Sequence, residues 1–237
     1  MPSSAVNSAP LRLIYIHGYV EDPSIFDNLI PLLPADNVLN LNLQDEFAHW
    51  NPDDKTVNVS SLAAYLAKNH QITAADVVIG HSMGGYIAAN LKAQTGCGAV
   101  LISSYTDPAK VITPIRSVGL LKYLVNWGVI QSSGFANYAL KKYPFDQSRT
   151  LHKGLIGNMV AQPKRFIYQQ LRVLMAKPDV PPAPADVRIH TRPDNVLRYP
   201  DEPFHETPGD HFNLVYHPEE VAAPILAYLA TRVQAGV

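Results

Sequence analysis

Gly80-His81-Ser82-Met83-Gly84 sets a serine between two glycines in the spacing G-x-S-x-G. A serine hydroxyl is a poor nucleophile at neutral pH. It needs a base to take its proton and an acid to hold the base in the right tautomer. The residues around Ser82 suit that chemistry. Val77-Val78-Ile79 reads as a buried strand, and Tyr86 to Leu91 as a small-residue helix. Ser82 then falls on a tight strand-to-helix turn, where Cβ atoms on its neighbours would collide with the backbone. The turn lifts the hydroxyl above the sheet edge. It also puts the N–H of Met83 in the first helical turn, where amides are unpaired and can hold an anion.

The base and the acid are sought at strand ends after Ser82. Nine histidines are present, and His205, His211 and His217 are the ones that follow the Pro-rich stretch close to the C-terminus. His205 lies inside a strand candidate, and His217 directly precedes Pro218. His211 lies in the turn Gly209-Asp210-His211-Phe212, where a loop can aim it at the sheet edge, so it is the preferred base, with His205 its rival. Asp194, in the turn after a strand, is the preferred acid. Asp107 follows another strand and is the alternative, while Asp210 reads as a turn residue. An oxyanion site needs two backbone donors. Met83 supplies one, and Tyr19, after His17-Gly18 at the end of the first strand, supplies the other. Tyr19 and His81 are also the expected substrate contacts, and His17 is expected to hydrogen-bond within its own loop.

The elements that must position these residues alternate. Residues 11–16, 38–43, 76–80 and 99–102 read as strands. Residues 24–33, a stretch from Ser60 or Ser61, and a stretch from Ser82 to about Thr95 read as helices. This order predicts an α/β fold with a mostly parallel central sheet flanked by helices. Residues 105–178 then hold four helical segments and no strand. One crossover needs only about a dozen residues, so 105–182 is expected to be an inserted helical cap, with 1–104 and 183–237 forming the core. Leu120, Leu121, Tyr123, Leu124, Trp127, Phe135 and Tyr138 are candidates for an acyl pocket or for the cap's own core. Pro178, Pro181, Pro182 and Pro184 make a stiff return. Strands at 187–191 and 204–207 follow, then a last helix from Pro218 to about Arg232, with Glu219 and Glu220 at its N-terminal dipole.

The chain has 237 residues, 47% apolar and 16% charged, with a net charge of −1. That is a globular composition rather than a disordered one. No long run of one sign favours nucleic acid or an anionic membrane surface. Cys97 is the single cysteine, which rules out an internal disulfide and fits a reducing compartment. The first ten residues lack the basic start and apolar centre of a secretory leader. No stretch approaches the roughly 20 apolar residues of a membrane span. A cytoplasmic protein with a small-molecule partner is the expectation.

Taken together, His17-Gly18, the elbow at Gly80 to Gly85, the helical insertion, Asp194 after a strand, and Gly209-Asp210-His211-Phe212 before His217-Pro218-Glu219-Glu220-Val221 resemble an α/β-hydrolase. The order Ser, Asp, His is that family's order. The resemblance implies Ser82 as nucleophile, His211 as base, Asp194 as orienting acid, and Tyr19 and Met83 as oxyanion donors, with no metal or organic cofactor. It implies a serine hydrolase acting on a small carboxylic ester or related acyl bond through an acyl-enzyme. Lactone, thioester, amide and carbon–carbon bond hydrolysis use the same parts. Competing with it is a catalytically silent ligand-binding protein of the same fold, which a lost triad member would favour. Cofactor-free haloperoxidase or dioxygenase chemistry is weaker still, and Ser82 argues against a dehalogenase, which usually carries Asp there. Two departures stand out. Residues 196–203, with two prolines, leave little room for the helix that the family usually fits before its last strand, which keeps Asp107 open as the acid. The strand at 38–43 is followed by Gln44 to Trp50 rather than a glycine turn, so that loop, with Trp50, is expected either to line the entrance or to pack on the surface.

Overall fold

A computed structural model describes residues 11–34 and 37–234. The leader question concerns the first ten residues, which lie outside this range. The strands are β1 (Arg12–Ile16), β2 (Asn37–Leu41), β3 (Val77–His81), β4 (Gly98–Ile102), β5 (Val187–His190) and β6 (His205–Glu206). They hydrogen-bond in the order β2-β1-β3-β4-β5-β6, and every pair is parallel. β3 and β4 are buried at every position, as strands covered on both faces must be. β2 and β3 flank β1 on opposite sides, so the winding reverses between β1 and β3. That reversal opens a crevice at the carboxyl ends of the strands, and His17-Gly18 and Ser82 both sit there.

Helices α1 (Leu43–His49), α2 (Val59–Asn69) and α3 (Met83–Thr95) precede β4. Asn58 caps α2 in a reciprocal capping box with Ser61. α3 lies so close to the sheet that a Cβ on Gly84 would overlap the Ile16 carbonyl oxygen, and one on Gly80 would overlap the Gly84 backbone. The two glycines of the motif are therefore a packing requirement. Between β4 and β5 come α4 (Val118–Asn126), α5 (Ser133–Lys142), α6 (Arg149–Ala161) and α7 (Lys164–Met175). α4 packs on α7 and α5 on α6, while α7 also rests on α1 and α2. The short α8 (Asn213–Tyr216) and α9 (Pro218–Gln234) close the chain.

Four sequence expectations need correcting. Residues 24–33 form two 3-10 turns, Pro23–Phe26 and Ile30–Leu32, rather than one helix. Pro31 carries no N–H to continue a ladder. The stretch expected as a loop after β2 is α1, capped by Asn42, whose side chain accepts from the Gln44 amide. Trp50 does not wall an entrance: it is buried and packs edge-on to Phe47, 5.4 Å between ring centroids. Of the insert's apolar candidates, Leu121 is buried and packed in the core, whereas Leu120, Tyr123, Trp127, Phe135 and Tyr138 are exposed. The Pro-rich return carries no helix or strand and is pinned to the core: Val180 N–H donates to Ser60 Oγ at 3.0 Å and Ala183 N–H to the Ala89 carbonyl at 3.0 Å.

Candidate active site

Ser82 takes φ 53° and ψ −120° between β3 and α3. A side chain rarely tolerates that backbone, and such strain costs on the order of 1–3 kcal/mol. The surroundings over-determine it. Ser82 N–H donates to the Ile102 carbonyl at 3.0 Å. The Ser82 carbonyl accepts from the Gly85 amide at 3.1 Å and from Ser104 Oγ at 2.5 Å. The strain aims Oγ at the crevice, 3.0 Å from His211 Nε2.

His211 Nδ1 lies 2.7 Å from Asp194 Oδ2. Asp194 Oδ1 accepts from the amides of Val196 and Leu197 at 2.7 and 2.9 Å. A carboxylate facing Nδ1 fixes Nδ1–H, so Nε2 keeps its lone pair toward the serine. Burial alone would raise Asp194, but His211 and the Leu197 amide outweigh it and hold the carboxyl below its ordinary range. Burial alone would lower His211, but Asp194 outweighs it and raises the imidazole. Asp107, the alternative acid, is instead spent on capping a 3-10 turn through the Ala109 amide. His205 is exposed on β6. Asp210 does more than shape a turn: Oδ2 accepts from Ser148 Oγ, and Ser148 also bonds Tyr143 at 2.5 Å, tying the loop of His211 to the inserted helices.

Met83 opens α3, so its amide has no intrahelical acceptor. The Tyr19 amide finds no acceptor among the described residues. Its loop is held from three sides. His17, fully buried, donates Nδ1–H to the Gly18 carbonyl at 3.0 Å and accepts the Leu43 amide on Nε2 at 3.0 Å, as its expected structural role requires. Burial keeps that ring neutral by lowering its pKa. Glu21 Oε2 takes the Gly18 amide at 2.5 Å. Val20 sits at φ 53°, a costly value for a β-branched residue. Its amide donates to Gln170 Oε1 of α7 at 3.0 Å.

His81 was expected to touch substrate, and the structure does not bring it to the cavity. It is fully buried, with Nδ1 2.9 Å from Glu21 Oε2 and Nε2 2.9 Å from the His211 carbonyl. The carbonyl requires Nε2–H. Burial alone would raise Glu21, but His81 outweighs it and keeps the carboxyl low. Glu21 Oε2 on one side and the His211 carbonyl on the other hold the ring between the loop of Tyr19 and the loop of His211. Glu21, His81 and His211 place donor atoms within 4.8 Å of one another, the spacing of a metal site. Each donor is already engaged, which makes the trio a positioning cluster.

A cavity of about 190 Å³ opens over Ser82 and His211. Tyr19 lines it, with its hydroxyl buried and unpartnered. Its apolar walls come from Leu155, Ile156 and Met159 of α6, and from Leu174, Leu197 and Phe212. His152 of α6 adds one polar group, a ring lowered in pKa by burial whose Nε2 has no partner among the described residues. Sequence reasoning missed Glu21, Ser104, His152 and Gln170. Glu21 carried a signal, as the carboxylate three residues beyond the loop glycine. The other three lie at positions no local motif marks.

Residues 13–224 match the family model described as the alpha/beta hydrolase family. The chain belongs to that family, and membership supports a hydrolase acting on a small molecule. No curated protein matched the chain. Among solved structures it is similar to an enol-lactonase from Burkholderia xenovorans, with TM-score 0.69 and 13% identity, covering 96% of this chain and 94% of that one. It is similar to a thermophilic esterase from Thermogutta terrifontis, with TM-score 0.66 and 16% identity, covering 95% and 91%. It is also similar to MenH from S. aureus, with TM-score 0.63 and 16% identity, covering 96% of each. At these identities the likeness shows the fold. Among the described residues no helix is long and apolar enough to cross a membrane.

Proposed function

We propose that this hydrolase is a serine enzyme that cleaves small carboxylic esters or related acyl bonds through an acyl-enzyme. The observation that carries it is the continuous line from Ser82 Oγ through His211 to Asp194, at 3.0 and 2.7 Å. His211 Nε2 takes the Oγ proton as Oγ attacks the carbonyl carbon. Asp194 holds the resulting imidazolium. The carbonyl oxygen gains charge between the amides of Tyr19 and Met83, and losing one such donor costs about 3–4 kcal/mol of barrier in a comparable enzyme. The leaving alkoxide collects the proton from Nε2. Water, deprotonated by the same nitrogen, then releases the acid from Ser82.

In this reading the helices at 118–175 act as the cap over the site. Their α6 walls make the acyl site small and apolar, and His152 offers a bond to one polar group on the substrate. Enol-lactonase and esterase neighbours suit a small ester or lactone. The test is labelling by a fluorophosphonate probe, read by intact mass. The protein should gain one adduct and Ser82→Ala none, with an unchanged melting temperature. Labelling of Ser82→Ala, or a folded parent that never labels, overturns the assignment.

A further inference from the structure

Arg188 sits in β5 opposite Leu101 of β4, on the sheet face that α2 and α3 cover further in. It is only 7% exposed. A guanidinium has five N–H donors to satisfy, and the nitrogens of Arg188 that lack a protein partner face the open space beside it rather than a sealed core. Among the described residues Nη2 reaches Thr106 Oγ1 at 3.5 Å, the long limit of a hydrogen bond. Glu202 Oε1 lies 3.9 Å from Nη2, beyond hydrogen-bond reach, on a side chain that is 57% exposed. Burial pulls the guanidinium below its ordinary pKa. Other charges nearby are spent. Asp186 pairs with Lys92 at 2.5 Å and takes the Ala99 amide, and Lys110 pairs with Asp201 at 2.7 Å.

The guanidinium borders a cavity of about 570 Å³. Residues 191–204 cross from β5 to β6 without a helix, and Glu202, Pro203 and Phe204 of that crossing line the cavity. Its roof is the Pro-rich return, with Pro182 and Pro184, and its outer wall is Pro203 and Phe204. It shares no lining residue with the cavity over Ser82.

We propose that this cavity is a second binding site, which takes a small organic monocarboxylate on Arg188. The planar fork of Arg matches the two oxygens of a carboxylate. Glu202 and Asp186 at the lining disfavour a dianion such as phosphate. The prolines and Phe204 suit an apolar body, and the volume lies in the range of small-molecule sites, about 300–1,000 Å³. Glu202 stands beside Arg188 as a weak internal competitor that an entering acid displaces.

The experiment is calorimetric titration of the full chain with benzoate, against benzyl alcohol, benzylamine and inorganic phosphate. Benzoate should bind and the other three should not. Arg188→Met should weaken benzoate about tenfold or more while keeping or raising the melting temperature, since an under-paired buried charge gives way to an apolar chain of similar length. Glu202→Gln should tighten benzoate severalfold. Equal benzoate affinity in the parent and Arg188→Met puts the acid elsewhere, the Ser82 cavity included, and overturns the proposal. So does the absence of benzoate binding at millimolar concentration, or benzyl alcohol binding as well as benzoate. If Arg188→Met does not fold, Glu202→Gln and Phe204→Ala decide: the first should tighten and the second weaken, and no change in either overturns it.

Discussion

Asp194→Asn has an outcome set by the direction in which the new amide must turn. Oδ1 of Asp194 accepts from two backbone amides, while Oδ2 faces His211 Nδ1. Asparagine has one oxygen. The Val196 and Leu197 amides hold it at the Oδ1 position, so the NH₂ group faces Nδ1. A donor there forces Nδ1 to accept and moves the ring proton to Nε2. No lone pair is then left for the Ser82 hydroxyl. The expected loss in kcat is on the order of 10⁴, which at about 1.36 kcal/mol per tenfold is about 5.5 kcal/mol of barrier. KM should change little, because the Asp194 side chain is fully buried and does not line the cavity. Steady-state hydrolysis of p-nitrophenyl acetate and the rate of fluorophosphonate labelling both read the effect, on protein whose melting curve shows it folded. A variant within tenfold of the parent refutes the reasoning. A comparable loss from Asp107→Asn would move the acid to that residue.

Further outcomes follow from the same geometry. kcat/KM should fall on the acid side as His211 protonates, with an apparent pKa above the ordinary 6.5 because Asp194 raises it, and a limb at or below 6.5 would contradict that pairing. For stability, the raised His211 contributes fully below the unfolded imidazole value and loses this as pH rises through the folded one. The lowered Asp194 contributes above the unfolded carboxylate value and loses this as pH falls through the folded one. Urea titrations across pH check both signs. Gln170→Met leaves the Val20 amide buried without an acceptor, at about 1–3 kcal/mol. The melting temperature should drop and kcat should fall about tenfold with KM less affected, whereas an unchanged kcat would make the contact structural only. Glu21→Gln exchanges a buried carboxylate that accepts from the Gly18 amide and meets His81 Nδ1 for an amide that can place only one oxygen there, which costs about 1–3 kcal/mol. It should lower the melting temperature and slow labelling, and a variant that matches the parent in both removes Glu21 from the positioning of these loops.

The fold was legible because its signals are local and repeated. Apolar runs at 77–80 and 99–102 can only be strands buried on both faces, and the small residues after Ser82 suit a helix pressed on them. Ser82, Asp194 and His211 were legible because each falls at a strand end beside turn residues, in one order. What lay hidden depends on distance in the sequence. Gln170 meets Val20 across 150 positions, and Ser104 meets the Ser82 carbonyl across 22. His81 was misread because the spacing G-x-S-x-G says that it neighbours the nucleophile, but not that β3 turns its ring inward to Glu21. The helix at 43–49 was read as a loop because its cap is an asparagine ending a strand, with no gap between the two elements.

Among their contacts with the core, the inserted helices hold each of the two loops beside the Ser82 cavity through one side chain. Ser148, at the start of α6, holds Asp210 beside His211, and Gln170 on α7 holds Val20 beside Tyr19. Leu155, Ile156 and Met159, which wall the cavity over Ser82, lie between those two points in sequence and pack into the core without a side-chain hydrogen bond to either loop. Their identity, unlike that of Ser148 and Gln170, can therefore change within apolar side chains of similar volume without releasing either loop. Such exchanges should re-shape the cavity and shift substrate choice, whereas grafting a foreign insert without Ser148 and Gln170 would release the loops of His211 and Tyr19 together.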